Sequence, residues 1–200
     1  MDAATNTIIA GQYDVRENSE PELNAFFTSL QDRGFAPHSF TVDGNPQVIR
    51  VVRKRWSDIT IQRCLVHVQR QGLMWCRRYP KRAEAQTLRA LFLQVTSITT
   101  SAKRDLFLHA VTQWEGHYGH RIQERKETGW VFPDLKRARH MLLTALPDMF
   151  HYLENPAIPC TTNALEGYFS RLKRHYRGHR GLKRSSWKQY FSWYFFLRQK

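Results

Sequence analysis

"FTVDGNPQVIRVVRKRWSDITIQRCLVHVQR", residues 40–70, carries the pattern that decides the fold. With His38 and Ser39 ahead of it, the stretch up to Gly44 alternates as a short strand and breaks at Gly44-Asn45. Pro46 suits the first turn of a helix, where its missing N–H would have no partner in any case. Val48, Val51, Val52 and Trp56 then fall on one helical face. Asp58–Cys64 reads as another strand, and a helix resumes near Val66. A helix joining two strands is a crossover connection, which implies a parallel sheet.

Working outward toward the N-terminus, Ser19 is a candidate N-cap with Glu22 three residues on. Leu23, Phe26, Phe27 and Leu30 follow at i, i+3, i+4 and i+7, and Gly34 stops the helix. Before it, Thr5–Val15 reads as a β-branched strand preceded by a hairpin-like "DAATNT". From Val68 to Glu154 the pattern changes to long helical segments rich in Arg, Trp and Leu, with no clear strand. Pro156, Pro159 and Cys160 then punctuate before a last helical stretch that opens at Asn163. The fold class is therefore α/β, in three parts: residues 1–67 as part of an α/β core, 68–155 as an all-helical insertion, and 156–200 as a basic helical return to the core.

The charge is unevenly placed. Residues 1–50 carry three Arg and seven acids, whereas residues 51–200 carry 28 basic and ten acidic residues. A strongly basic remainder behind an acidic first quarter points to a polyanion partner. Anionic lipid is the competing polyanion, but no apolar run approaches the roughly 20 residues of a spanning helix, and no membrane partner is expected. The first residues lack the positive region and apolar stretch of a signal peptide. Cys64, Cys76 and Cys160 form no disulfide framework and suit a reducing, cytoplasmic setting.

Three places could carry chemistry. Asp43 ends a strand of a parallel sheet, where ligands and catalytic groups gather; alternatively it is an Asx-turn residue serving Gly44-Asn45. Cys64 and His67 share a helical face at i, i+3 spacing. They could supply half of a zinc site, but structural zinc needs four ligands. The other cysteines and histidines form no second pair, so no zinc is expected and a buried Cys with a hydrogen-bonded His is the plain reading. The third place is the tail from Asn163, with ten Lys or Arg and a single acid, Glu166. Asn163 and Glu166 fit a capping box, yet Glu166, Ser170 and Lys173 also share a face on which a carboxylate could hold a divalent ion while cations hold phosphates. Arg171, Lys173, Arg174, Arg177, Arg180, Lys183 and Arg184 are the candidate nucleic-acid contacts, with a solvated basic face as the alternative. No acids alternate with them, and clustering so many cations costs repulsion unless a polyanion relieves it.

Taken together, residues 40–70 and "CTTNALEGYFSRLKRHYRGHRGL" (160–182) resemble Mutator-like and related bacterial insertion-sequence transposases, with their strand-Asp, Cys-x-x-His and Thr-Asn-x-x-Glu elements in order. The resemblance implies a ribonuclease H-like core interrupted by a helical insertion. It also implies an Asp-Asp-Glu site that holds Mg²⁺ (or Mn²⁺) to cleave and join DNA at transposon ends and target, in a homo-oligomer on paired ends. Asp43 would be the second acid and Glu166 the third, with Cys64 and His67 as supporting residues near the site. The first acid should end a strand one hairpin before Thr5, and Asp2 lies too close to the next strand to be it. The expectation is therefore an N-terminally truncated core that lacks the first catalytic Asp and does not cut DNA alone. A non-catalytic DNA-binding regulator and another ribonuclease H-like nuclease stand as alternatives.

Overall fold

A computed structural model describes residues 1–124, 131–179 and 181–197. The chain divides into two compact units, residues 1–61 with 157–200, and residues 62–156.

In the first unit, α1 (Glu20–Asp32) is followed by β1 (Ser39–Val42), α2 (Pro46–Arg55) and the start of β2 (Thr60–Arg63). The two strands form a small parallel sheet, entered by a Thr60 N–H bond to the His38 carbonyl at 3.0 Å. The Asn45 side chain accepts from the amides of Gln47 and Val48, so α2 starts where its Asn-Pro signal places it. Val51 and Val52 are wholly buried with Leu23, Phe27, Leu30, Val42 and Ile61. Phe40 stacks on Trp56 with ring centroids 5.8 Å apart and closes this core.

The expected strand over Thr5–Val15 does not form; this segment is turn and irregular chain. A ladder needs a partner strand, and its apolar side chains find a different use. Ile8 packs with Tyr168, Leu172 and Phe195 of α9 (Asn163–Gly178) and α10 (Arg184–Leu197). The "DAATNT" turn does close, by an Asp2 N–H to Thr7 carbonyl bond of 2.8 Å, with the Asp2 carboxylate accepting from the Thr5 hydroxyl and amide. At α1, Ser19 is the N-cap residue but accepts nothing from the first turn; the Glu22 carboxylate instead holds Arg16, which lowers its pKa through that hydrogen bond.

The second unit is helical among its described residues: α3 (Leu65–Cys76), α4 (Ala83–Gln94), α5 (Ser101–Trp114), a π-helical turn at Glu115–Gly119, α6 (His120–Glu124), α7 (Val131–Ala145) and α8 (His151–Glu154). It runs from Gln62 to Pro156. Helix α3 packs on both α4 and α7. Two aromatic residues of this unit are core: Trp114 is buried and donates its indole N–H to the Glu84 carbonyl and the Thr87 hydroxyl, both at 3.1 Å, and Phe132 is buried under the Arg82 guanidinium. Tyr118 is half-buried beside Trp114, and Trp130 lies outside the described residues.

The α3–α4 contact depends on a glycine. A Cβ on Gly72 would lie 2.3 Å from the ring of Phe92, which is fully buried and cannot swing away. Gly72→Ala should therefore destabilise by about 1–3 kcal/mol through overpacking, which outweighs the roughly 0.5–1 kcal/mol gained by removing a helical glycine. The check is urea unfolding, with a lower midpoint at unchanged slope. A variant as stable as the parent would show that Phe92 can yield.

Candidate nucleic-acid interface

Helix α9 presents two chemically distinct faces, because its apolar and cationic residues repeat with different phases of the 3.6-residue turn. Leu165, Tyr168, Leu172 and Tyr176 turn inward, onto α10 and the N-terminal segment. Tyr168 stacks on Phe195, and Tyr176 meets Trp187 and Phe191 with centroids 5.2 and 5.6 Å away. The tyrosines interleaved with the basic run are thus core side chains and leave the outer surface to the cations. Arg171, Lys173, Arg174 and Arg177 are all exposed, as is Lys183 beyond the helix end. Among the described residues none of these five is ion-paired, whereas Arg16, Arg82 and Arg139 elsewhere each hold a carboxylate. Arg184 begins α10, and Arg180 lies outside the described residues.

Glu166 sits half-buried in the first turns of this helix. The expected N-cap is shifted by one residue. Asn163 is already helical and Thr162 is the N-cap, its carbonyl accepting the Glu166 N–H at 3.0 Å. The Thr162 hydroxyl donates to Glu166 Oε1 at 3.1 Å, so it is turned to the carboxylate and not to the first-turn amides. Thr161, Thr162 and Asn163 are all competent caps, and local sequence does not choose between them.

Asp43 is exposed just past the end of β1. Its Oδ1 accepts the Asn45 N–H at 3.0 Å, so the Asx-turn geometry is present. Gly44 follows at φ 112°, a conformation that glycine adopts without strain and that lets the chain turn into α2. The Thr41 hydroxyl donates to the Pro159 carbonyl at 2.7 Å and ties β1 to the segment leading into α9. Asp43 and Glu166 accordingly belong to one compact unit. Both offer hard carboxylate oxygens, the donor type that suits Mg²⁺ or Mn²⁺. Among the described residues no group of three or more His, Cys, Asp or Glu side chains gathers to hold a metal.

Cys64 and His67 belong to the 62–156 unit. Cys64 is the residue before α3, fully buried, and His67 Nδ1 lies 3.2 Å from its Sγ. Their i, i+3 spacing does bring them together at the first turn of the helix.

Sequence reasoning places the whole DNA surface on the last two helices. A second cationic run without an acid, Arg77–Arg82, joins α3 to α4 and carries the same composition signal. No helix among the described residues is long and apolar enough to cross a membrane.

No curated protein and no solved structure matches the chain. The family model described as "Transposase, Mutator family" matches residues 5–182, from the N-terminal turn through the basic helix α9. That span takes in both carboxylates, the Cys-His pair and the cationic face, and the chain belongs to the Mutator family of transposases.

Proposed function

We propose that this chain acts on DNA in transposition, contributing the second and third acids, Asp43 and Glu166, to the cleaving and joining of phosphodiesters at transposon ends and target from a ribonuclease H-like core, in the cytoplasm and as a homo-oligomer on paired ends. The observation that carries this reading is the outer face of α9, where exposed and unpaired Arg171, Lys173, Arg174 and Arg177 adjoin the half-buried Glu166 in a chain of a transposase family. The parallel β1–α2–β2 unit, with Asp43 at the carboxyl end of β1 and Glu166 on a helix beyond the inserted helical unit, follows the order that such a core requires.

In this reading the cationic face binds and orients the DNA backbone, while Asp43 and Glu166 would hold Mg²⁺ or Mn²⁺. When bound, such an ion supplies Lewis-acid polarisation of the phosphodiester and a hydroxide-like nucleophile at neutral pH. Thr162 orients the Glu166 carboxylate by its hydroxyl bond, and the Asx-turn fixes the Asp43 carboxylate against Asn45. Cys64 and His67 are supporting residues that stiffen the start of α3.

A second reading, a DNA-binding regulator without cleavage, is favoured by the hydrogen bonds that already engage both acids within the fold. Two assays separate the possibilities. With five phosphates contacted on duplex DNA, log K should fall against log salt with a slope of about −4.5; a flat response would remove DNA from the reading. Nicking of supercoiled plasmid in Mg²⁺ or Mn²⁺ then distinguishes cleavage from binding alone.

A further inference from the structure

We propose that the segment joining α3 to α4 is a second duplex-DNA contact, with Arg78 and Lys81 on backbone phosphates and Tyr79 against the sugar edge. The inference rests on the DNA reading above and extends it to the 62–156 unit.

The segment "RRYPKR" (77–82) has four cations and no acid. Two of the four hold the segment in place. Arg77 reaches Asp134 at 3.0 Å, and Arg82 binds Glu84 at 2.7 Å while its guanidinium lies 4.4 Å from the centroid of the buried Phe132 ring. Gln86 adds a side-chain bond to the Pro80 carbonyl at 3.0 Å. The backbone of Arg77 has φ 63° and ψ 168°, a region almost confined to glycine, which persists only where the surroundings enforce it. These contacts preorganise the segment, so little conformational freedom is lost when it meets a ligand.

What the held segment presents to solvent is Arg78, Tyr79 and Lys81. Among the described residues neither cation is ion-paired, and the Arg78 guanidinium lies over the Tyr79 ring at 5.3 Å. Tyr79 is 80% exposed, in a unit whose Trp114 and Phe132 are buried. A rigid, exposed pair of cations with an amphipathic ring between them matches alternating phosphate and sugar along a DNA strand. The outer face of α9 offers the same chemistry, which favours one polyanion for both surfaces over an acidic protein or lipid for one of them.

The test is fluorescence anisotropy of a short random-sequence duplex with the full chain across a salt series. The variants are Arg78→Gln/Lys81→Gln, Tyr79→Ala, and an equal charge change elsewhere on the surface, Arg33→Gln/Lys54→Gln. Arg77 and Arg82, which anchor the segment, stay intact, and circular dichroism verifies the fold. The Arg78/Lys81 pair should make the salt slope about 1.8 less negative and weaken binding on the order of 10- to 100-fold at 0.1 M salt. Tyr79→Ala should weaken binding without changing the slope, and the Arg33/Lys54 control should change the slope by less than about 0.5. A parental slope in the Arg78/Lys81 variant, or an equal change in the control, overturns the contact while leaving DNA binding by the chain intact. Absence of duplex binding by the parent chain overturns the broader reading and this contact with it. Loss of binding to anionic vesicles with duplex binding unchanged would reassign the surface to lipid and overturn the proposal.

Discussion

Gln62→Met is expected to lower the stability of the chain by roughly 3 kcal/mol, although the two side chains are close in volume. Gln62 is fully buried at the start of that unit. Its amide donates to the carbonyls of Arg63 and Met149, each at 2.8 Å, and its oxygen accepts the Tyr152 N–H at 3.3 Å. One side chain thereby satisfies backbone groups on both sides of Phe150, which caps the short helix α8. Methionine fills the space but offers no donor, so the buried carbonyl of Met149 and the amide of Tyr152 lose their partner. An unsatisfied buried polar group costs about 1–3 kcal/mol, well above the net value of an ordinary hydrogen bond. For a chain of this size the melting point should fall by roughly 6–12 °C, at about 2–4 °C per kcal/mol. Urea unfolding at unchanged slope gives the same quantity independently. A change below about 1 kcal/mol would mean that water replaces the glutamine, and that the network is not a structural tie.

Gln62 also shows where reading the sequence stops. It lies inside an alternating strand pattern, and a polar residue there reads as solvent-facing. Its burial is decided by Met149 and Tyr152, nearly ninety residues further on, which no local pattern reveals. The elements that were legible are those fixed by local chemistry. Asn45-Pro46 starts α2 because one residue caps and the next has no N–H to lose. Val48, Val51, Val52 and Trp56 then bury one face because helical geometry leaves them no other arrangement. The Thr5–Val15 strand failed for the opposite reason. Its β-branched residues favour extended backbone, but strand identity depends on a ladder partner, and Ile8 packs against α9 and α10 instead.

The candidate site divides along the same line. That α9 would be cationic followed from composition. That its tyrosines turn inward was not read from the sequence, although Leu165, Tyr168, Leu172 and Tyr176 hold helical spacing, because the density of charge around them obscures that signal. The Cys64–His67 contact was legible because i, i+3 residues on a helix are neighbours. Asp43 and Glu166 belong to distant stretches of chain, and their membership of one compact unit is a tertiary fact, expressed by the Thr41–Pro159 bond. The segment 77–82 escaped notice because a basic run in a loop resembles any solvated surface until Asp134, Glu84 and Phe132 are seen to hold it.

Glu166→Gln separates two roles that the geometry superimposes on one residue. As a structural group, Glu166 accepts the Thr162 hydroxyl near the N-terminus of α9. Glutamine keeps an acceptor oxygen at that place and loses only the charge, which near a helix N-terminus is worth about 0.3–1 kcal/mol. Stability should therefore change by no more than about 1 kcal/mol. DNA affinity should hold or rise, because a negative charge disappears from the helix while every cation stays. Metal-dependent nicking, where the site is complete, should behave differently. An amide is a far poorer ligand for a hard divalent ion than a carboxylate. Metal assistance contributes several kcal/mol to phosphodiester cleavage, so its loss should slow nicking by roughly 100-fold or more. Stability nearly unchanged, binding kept and nicking lost is a combination that a capping role alone cannot produce. Equal nicking by parent and variant would remove Glu166 from the catalytic set. A parent chain that binds duplex DNA with a steep salt slope and nicks nothing would be a transposase-family chain that holds DNA and does not cut it alone, with Glu166 serving the start of α9.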